Sequence, residues 1–125
     1  PRLLVDAIVS LNDLSEDTPR AIRVLGPFGQ GNPEPVLATL GARVMDVRRI
    51  GSGGKHLRLD ISQDGTPRTC VAFRQGDAAD WIGNGDRIDL VYRPSLNRWQ
   101  GRESLQLVVE ALRPHGAARA VPGVE

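Results

Sequence analysis

The stretch His56-Leu-Arg-Leu-Asp-Ile-Ser62 sets Leu57, Leu59 and Ile61 in strict alternation with His56, Arg58, Asp60 and Ser62. Successive side chains of a strand point to opposite faces, so this is a strand with one apolar face and one polar, partly basic face. Gln63-Asp-Gly-Thr66 follows as a hairpin turn and leads into a strand at residues 67–74, with Thr69, Val71 and Phe73 on one face. Upstream, residues 36–50 read as a long strand with a place to bend at Gly41, and Gly51-Ser-Gly-Gly54 reads as a loop. Downstream, Asp77-Ala-Ala-Asp-Trp-Ile82 has helical spacing, with Gly83 to stop it. Residues 86–93 then turn Ile88, Leu90 and Tyr92 inward, and residues 103–112 do the same with Leu105, Leu107, Val109 and Ala111.

Three strands, a short helix and two more strands make a mainly β chain in the order of the five-stranded OB-fold Greek-key barrel, spanning residues 36–112. In front of it, Gly26-Pro-Phe-Gly-Gln-Gly-Asn-Pro-Glu-Pro35 is too dense in turn formers for helix or strand and reads as a fixed joint. Before the joint, residues 3–9 suit a short strand that would pair with a region upstream. Ser15 or Thr18 would cap a short helix with Pro19 early in it and with Ile22, Val24 and Leu25 making apolar contacts before Gly26. Residues 1–35 are thus expected to be the end of an upstream region plus the joint, and residues 113–125 a flexible tail. The chain starts at Pro1 and is expected to be a piece of a longer polypeptide.

With 125 residues there is room for one core. No apolar stretch approaches the roughly 20 residues that span a bilayer, and a lone Cys70 allows no internal disulfide, which fits a cytoplasmic, non-membrane setting. The net charge of +1 conceals an uneven distribution: residues 43–102 carry 11 Lys or Arg against 7 acids, while both flanks are acidic. All the cations but Lys55 are Arg, and guanidinium both pairs with phosphate and stacks on a base.

Catalytic chemistry finds no support in these residues. His56 and His115 are not at metal-ligand spacing with Cys70 or a carboxylate cluster, and Gly29-Gln-Gly31 is no phosphate loop because Glu34 and Pro33 follow where a third Gly and a helix are needed. What remains is a binding surface. Single strands cross an OB-fold on its second and third strands, between the first and last loops. Here those positions hold Arg48, Arg49, Lys55, His56, Arg58 and Arg74, then Arg98, Trp99 and Arg102 in the second loop, residues 97–102. Trp99 would either stack on a base or fold back to cap the barrel; Phe73, Trp81 and Tyr92 read as core, and Phe28 as an anchor for the joint.

Pro27, Phe28, Gly29, Gly31, Asn32, Pro33 and Pro35, followed by His56-Leu-Arg-Leu59, Ala72-Phe73, Asn97-Arg-Trp99, Gly101 and Leu105-Gln-Leu107, resemble the C-terminal OB-fold domain of the RecJ family of single-strand-specific exonucleases. The resemblance implies a parent enzyme of bacterial DNA recombination and repair that degrades single-stranded DNA from the 5′ end with manganese or magnesium. The family's Asp-His-His signature and other metal-binding acids are missing here. This chain is therefore expected to bind single-stranded DNA, with no cofactor of its own, beside a catalytic core supplied by the remainder of the exonuclease. Position 58 is Arg where the family commonly has Lys, and position 37 is Leu where an aromatic is frequent. An alternative is a protein-interaction domain that docks on the catalytic core or on single-stranded DNA-binding protein, whose acidic tail would suit the same Arg-rich face.

Overall fold

The computed structural model describes residues 5–116 and strings its elements in the order β1 (Ala7–Ile8), α1 (Asp17–Val24), β2 (Leu37–Ile50), β3 (His56–Gln63), β4 (Thr66–Ala72), β5 (Arg87–Trp99) and β6 (Arg102–Pro114). Short 3-10 turns lie at Leu11–Asp13, Ser52–Gly54 and Gly76–Asp80. β2 pairs antiparallel with β5 through its first half and with β3 through its second, and Arg43 pairs with both. β3 pairs with β4, β4 runs parallel to β6, and β6 pairs back onto β5, so β2 to β6 close into the expected OB-fold barrel. No helix among the described residues is long and apolar enough to cross a membrane.

Closure depends on the bend at Gly41. Leu40 and Gly41 together stand opposite the single residue Asp89, between the pairs Thr39 with Leu90 and Ala42 with Ile88. The extra residue is a β-bulge, and Gly41 takes it at φ +75°, where an L side chain is strained. A Cβ there would also stand 3.3 Å from the His115 ring. The Gly41 amide, which loses its ladder partner in the bulge, donates to Asp89 Oδ1 at 2.9 Å. Asp89 is only 6% exposed, and it also accepts from Arg113 Nε at 2.8 Å and pairs with His115 Nδ1 at 2.7 Å. Burial pushes this carboxyl up, but the hydrogen bonds from Arg113, His115 and Gly41 outweigh that and hold it below the usual carboxylate range.

The core is built from the alternation visible in the chain: Leu57, Leu59, Ile61, Ile88, Leu90, Tyr92, Leu105, Leu107 and Val109 are all buried. Tyr92 is fully buried and its hydroxyl lies 2.8 Å from Thr39 Oγ1. Since Thr39 spends its one proton on the Val9 carbonyl, Tyr92 is the donor of this pair. Burial pushes the Tyr92 hydroxyl up to about 12, and the enclosed Cys70 thiol is likewise pushed up, which leaves it unreactive.

The segment before the joint is woven into the barrel. β1 adds to β2 in parallel, Ala7 beside Leu37 and Ile8 beside Ala38. Leu11 and Leu14 are buried in the barrel core, held by Arg68 NH2 donating to both their carbonyls and by the Leu11 amide donating to Gln63 Oε1. At the start of α1, Ser15 Oγ accepts from the Asp17 amide and Thr18 Oγ1 from the Ser15 amide, but the N-cap position is Glu16, whose side chain makes no capping bond, so neither expected residue is the cap. Ile22 is half-buried, but Val24 and Leu25 project outward. The joint is fastened by Asn32, whose side-chain amide donates to the carbonyls of Leu25 and Pro27, and Phe28 lines a cleft with Pro19, Ile22, Pro94 and Leu96. At the other terminus β6 continues to Pro114 and His115 packs on Asp89; of the expected tail, residues 117–125 lie outside the described residues.

Asp89→Asn removes a charged acceptor from a buried site and is expected to cost about 1–3 kcal/mol at neutral pH. Because the folded-state pKa is depressed, that stabilisation is present above the unfolded value of about 3.9 and is lost as pH falls through the folded value. Urea melts of the two proteins should therefore differ at pH 7 and converge as pH falls through the depressed folded-state value; a constant gap would contradict the assignment.

Candidate nucleic-acid interface

The outward-facing side chains of β3, β4 and β6 form one surface. Register places Arg58 beside Val71, Asp60 beside Thr69, Thr69 beside Gln106, and Ser104 beside Asn97 of β5. Between them runs a cleft of about 270 Å³ lined by Ile50, Arg58, Thr69, Val71, Asn97, Ser104 and Gln106. A second hollow of about 250 Å³ shares Thr69 and Ser104 and continues to Pro67 and Glu16. The floor is polar and half-buried, so it offers hydrogen bonds without a catalytic group.

The β5–β6 hairpin forms one wall, and it corrects the expected loop at residues 97–102. β5 runs on to Trp99 and turns only at Gln100 and Gly101, whose φ values of +50° and +77° make a two-residue primed turn. Pro94 is tolerated inside it because pairing with β2 ends at Tyr92, leaving that edge of β5 without a neighbour that needs an N–H. Alternation then sorts the three candidates. Trp99 and Arg102 fall on the side of Asn97 and Ser104, facing the cleft, whereas Arg98 falls on the other side and pairs with Glu103, which also binds Arg20 of α1. Arg98 and Arg20 hold the Glu103 carboxyl below the usual range, and this trio ties the hairpin to α1. Trp99 is 67% exposed and caps no part of the barrel.

The opposite wall is the end of β3 and β4. Phe73 is not core: β4 ends at Ala72, Phe73 sits in the following turn and is 55% exposed, with its ring edge-on to His56 at 5.3 Å between centroids. Arg74, at φ +64°, is in that turn rather than on the strand, and its amide donates to His56 Nδ1 at 2.9 Å. The Ser52–Gly54 turn is fixed at the backbone, since the Gly76 amide donates to the Lys55 carbonyl at 2.9 Å, while the Lys55 side chain is exposed. A Cβ on Gly76 would come within 2.1 Å of the Gly54 carbonyl oxygen, so only glycine permits this approach.

The remaining candidates divide. Arg48 lies directly opposite Arg58, and each is paired along its own strand, Arg48 with Asp46 at 3.0 Å and Arg58 with Asp60 at 3.7 Å. Arg49 leaves this surface: its guanidinium bridges Asp77 and Asp80 of the Gly76–Asp80 turn. Trp81, expected inside, is 45% exposed, and Ala78, Ala79 and Ile82 fill the barrel end instead. Lys55, Arg74 and Arg102 make no ion pair among the described residues. Sequence reasoning missed Asn97, Ser104 and Gln106 as lining residues; the alternation of Ser104 and Gln106 with buried Leu105 and Leu107 was the available signal. Among the described residues no group of three His, Cys, Asp or Glu side chains could hold a metal ion.

A family model described as the RecJ OB domain matches residues 5–111. The single-stranded-DNA-specific exonuclease RecJ of Bacillus subtilis is 31% identical over 106 residues, which are 85% of this chain and 14% of that protein. Its Escherichia coli counterpart is 30% identical over 122 residues, 91% of this chain and 20% of that protein. This chain therefore spans about a seventh to a fifth of the length of these relatives. Among solved structures, RecJ of Thermus thermophilus in complex with Mn2+ superposes with a TM-score of 0.58 at 29% identity, covering 75% of this chain and 13% of that one. A single-stranded DNA-binding protein of Mycobacterium smegmatis superposes at 0.57 with 17% identity, covering 72% and 94%, a likeness of fold.

The exposure of Phe73 has a measurable consequence. Phe73→Ala is expected to cost less than about 1 kcal/mol of stability, against roughly 2–5 kcal/mol for the buried Ile61→Ala. Chemical denaturation of both variants checks this, and a Phe73→Ala loss as large as that of Ile61→Ala would return Phe73 to the core.

Proposed function

Because this chain belongs to the RecJ family, as its OB domain, we propose that it is the single-stranded-DNA-binding module of a RecJ-type 5′-to-3′ exonuclease in recombination and repair. The observation that carries the reading is the polar cleft lined by Arg58, Thr69, Asn97, Ser104 and Gln106, with two exposed aromatics just beyond its lining, Phe73 two residues past Val71 and Trp99 two residues past Asn97. Bases stack on such rings with little regard to sequence, for ~1–3 kcal/mol each, while Arg58, Lys55, Arg74 and Arg102 attract the phosphates. Asn97, Thr69, Ser104 and Gln106 supply hydrogen bonds to sugars and base edges. Arg48 is a weaker contributor because Asp46 shares its charge, and Arg49 and Arg98 shape the walls through their acidic partners.

The strand so held would be presented to a catalytic core in the rest of the longer protein. Manganese or magnesium would act there: among the described residues no group of three acids, His or Cys fits such an ion, Asp89 being engaged by three donors and Asp77 and Asp80 by Arg49. The module binds and orients the strand, and no hydrolytic step falls to its own residues. A second reading has its own observation. On the other face, Val5, Ile8, Ala38, Leu40, Val91 and Leu112 line an apolar hollow of about 370 Å³, suited to docking on the remainder of the parent exonuclease. The two readings use different faces and are compatible. Docking of the acidic tail of single-stranded DNA-binding protein would instead compete with DNA for the Arg58 face.

Fluorescence anisotropy of labelled oligo-dT should show single-strand-selective binding whose log K falls against log salt with a slope of about −2 to −3, for roughly 3–4 phosphates. Phe73→Ala and Trp99→Ala should each weaken it roughly five- to hundredfold. Arg58→Glu should abolish measurable binding, and Arg49→Gln should leave it unchanged. Equal affinity for duplex, or wild-type affinity in all the cleft variants, would refute the site.

A further inference from the structure

Away from the strand cleft, at the end of the barrel marked by the β3–β4 turn, Gly41, Arg43, Ser62, Gln63, Arg87 and His115 line a polar hollow of about 410 Å³. Arg43 of β2 and Arg87 of β5 are direct cross-strand partners in an antiparallel pair, so their side chains share one face. Like charges in that position are destabilising. The same strand contains a second such pair, Arg48 opposite Arg58, and there Asp46 and Asp60 compensate it. Arg43 and Arg87 have no carboxylate in ion-pair contact among the described residues.

The nearby acids do not serve. Asp89 is consumed by Gly41, Arg113 and His115, and Asp64, which also lines the hollow from the β3–β4 turn, makes no ion pair with either arginine. Arg87 uses NH1 on the Gly41 carbonyl at 3.1 Å, which fixes its guanidinium and leaves further N–H groups to donate. The Gln63 amide is occupied on both atoms, by Leu11 and Leu40, but the Ser62 hydroxyl is a further donor. Two guanidinium forks and a hydroxyl match an oxyanion with several oxygens. A peptide carboxylate, with two oxygens, is satisfied by one fork alone.

We propose that the Arg43–Arg87–His115 hollow is a phosphate-binding site, separate from the strand cleft. It lies seven residues along β2 from Ile50, roughly 20 Å, so a phosphate bound here is not one of those held beside Arg58. The inference does not depend on the strand-binding reading, because it rests on the uncompensated arginine pair alone. The phosphate would be either a phosphodiester of a polynucleotide or a free phosphate.

The test is thermal unfolding of the 125-residue chain in inorganic phosphate, against chloride and acetate at matched ionic strength. About 50 mM phosphate should raise the melting temperature by roughly 2–5 °C beyond both controls. Arg43→Gln and Arg87→Gln should remove that increment. In chloride, Arg43→Gln should melt no lower than the wild type, since it relieves a repulsion. Oligo-dT added to the Phe73→Ala, Trp99→Ala double variant separates the sources: retained stabilisation that Arg43→Gln abolishes identifies a strand phosphate, and stabilisation by inorganic phosphate only identifies a free one. The proposal is overturned if phosphate does no more than acetate, if Arg43→Gln keeps the increment, or if that variant melts lower in chloride.

Discussion

The hydrogen bond from the Gly41 amide to the buried Asp89 carboxylate is the constraint on which the molecule depends. It secures the bulge that lets one strand, β2, serve β5 with its first half and β3 with its second, and without that double service the barrel has two open edges. A buried carboxylate is costly unless it is well supplied with donors. Here Gly41, Arg113 and His115 provide them, and the last two also bind the end of β6 to the start of β5. One residue therefore fixes the bend, the closure and the end of the chain's last strand.

Closure gives every outward side chain a fixed place. The inner rows of β3, β5 and β6 are consumed by packing, so the outer rows become the only variable surface, and the chain has loaded them unequally. Around Arg58 the row is polar with modest charge and two exposed aromatics just beyond it; around Arg43 and Arg87 it is cationic; beside β1 it is apolar. Many of the remaining arginines are tied to acids and shape walls instead of adding field, as Arg98 and Arg20 do with Glu103 and Arg49 does with Asp77 and Asp80. Composition alone would have credited all of them to nucleic-acid binding.

The barrel was legible because its strands alternate cleanly, and the Asp64-Gly65 turn announces its hairpin. What was illegible has local causes. At the end of β4 both rows are apolar, and size misleads: the small Cys70 and Ala72 join the core with Leu57, Leu59 and Tyr92, while Val71, though buried, stays outside that cluster and Phe73, just past the strand, is exposed. Trp81 was assigned by α-helical spacing, but the segment is a 3-10 turn, in which the barrel-facing residues are Ala78, Ala79 and Ile82. Pro94 and Gly101 made the end of the chain look like loop, although the one stands at an unpaired edge and the other in a two-residue turn. Leu11 and Leu14 belong to a segment too short for periodicity, and their burial depends on distant partners, Arg68 reaching back from β4 and Gln63 from β3.

Chemical-shift mapping of the 15N-labelled chain titrated with oligo-dT tests the central claim most directly. The account predicts that shifts concentrate on Arg58, Thr69, Val71, Phe73, Asn97, Ser104, Gln106 and the Trp99 indole, one continuous track across β3, β4, β6 and the hairpin. Shifts confined to the apolar face around Ile8 and Leu112, or none at saturating oligonucleotide, would contradict it.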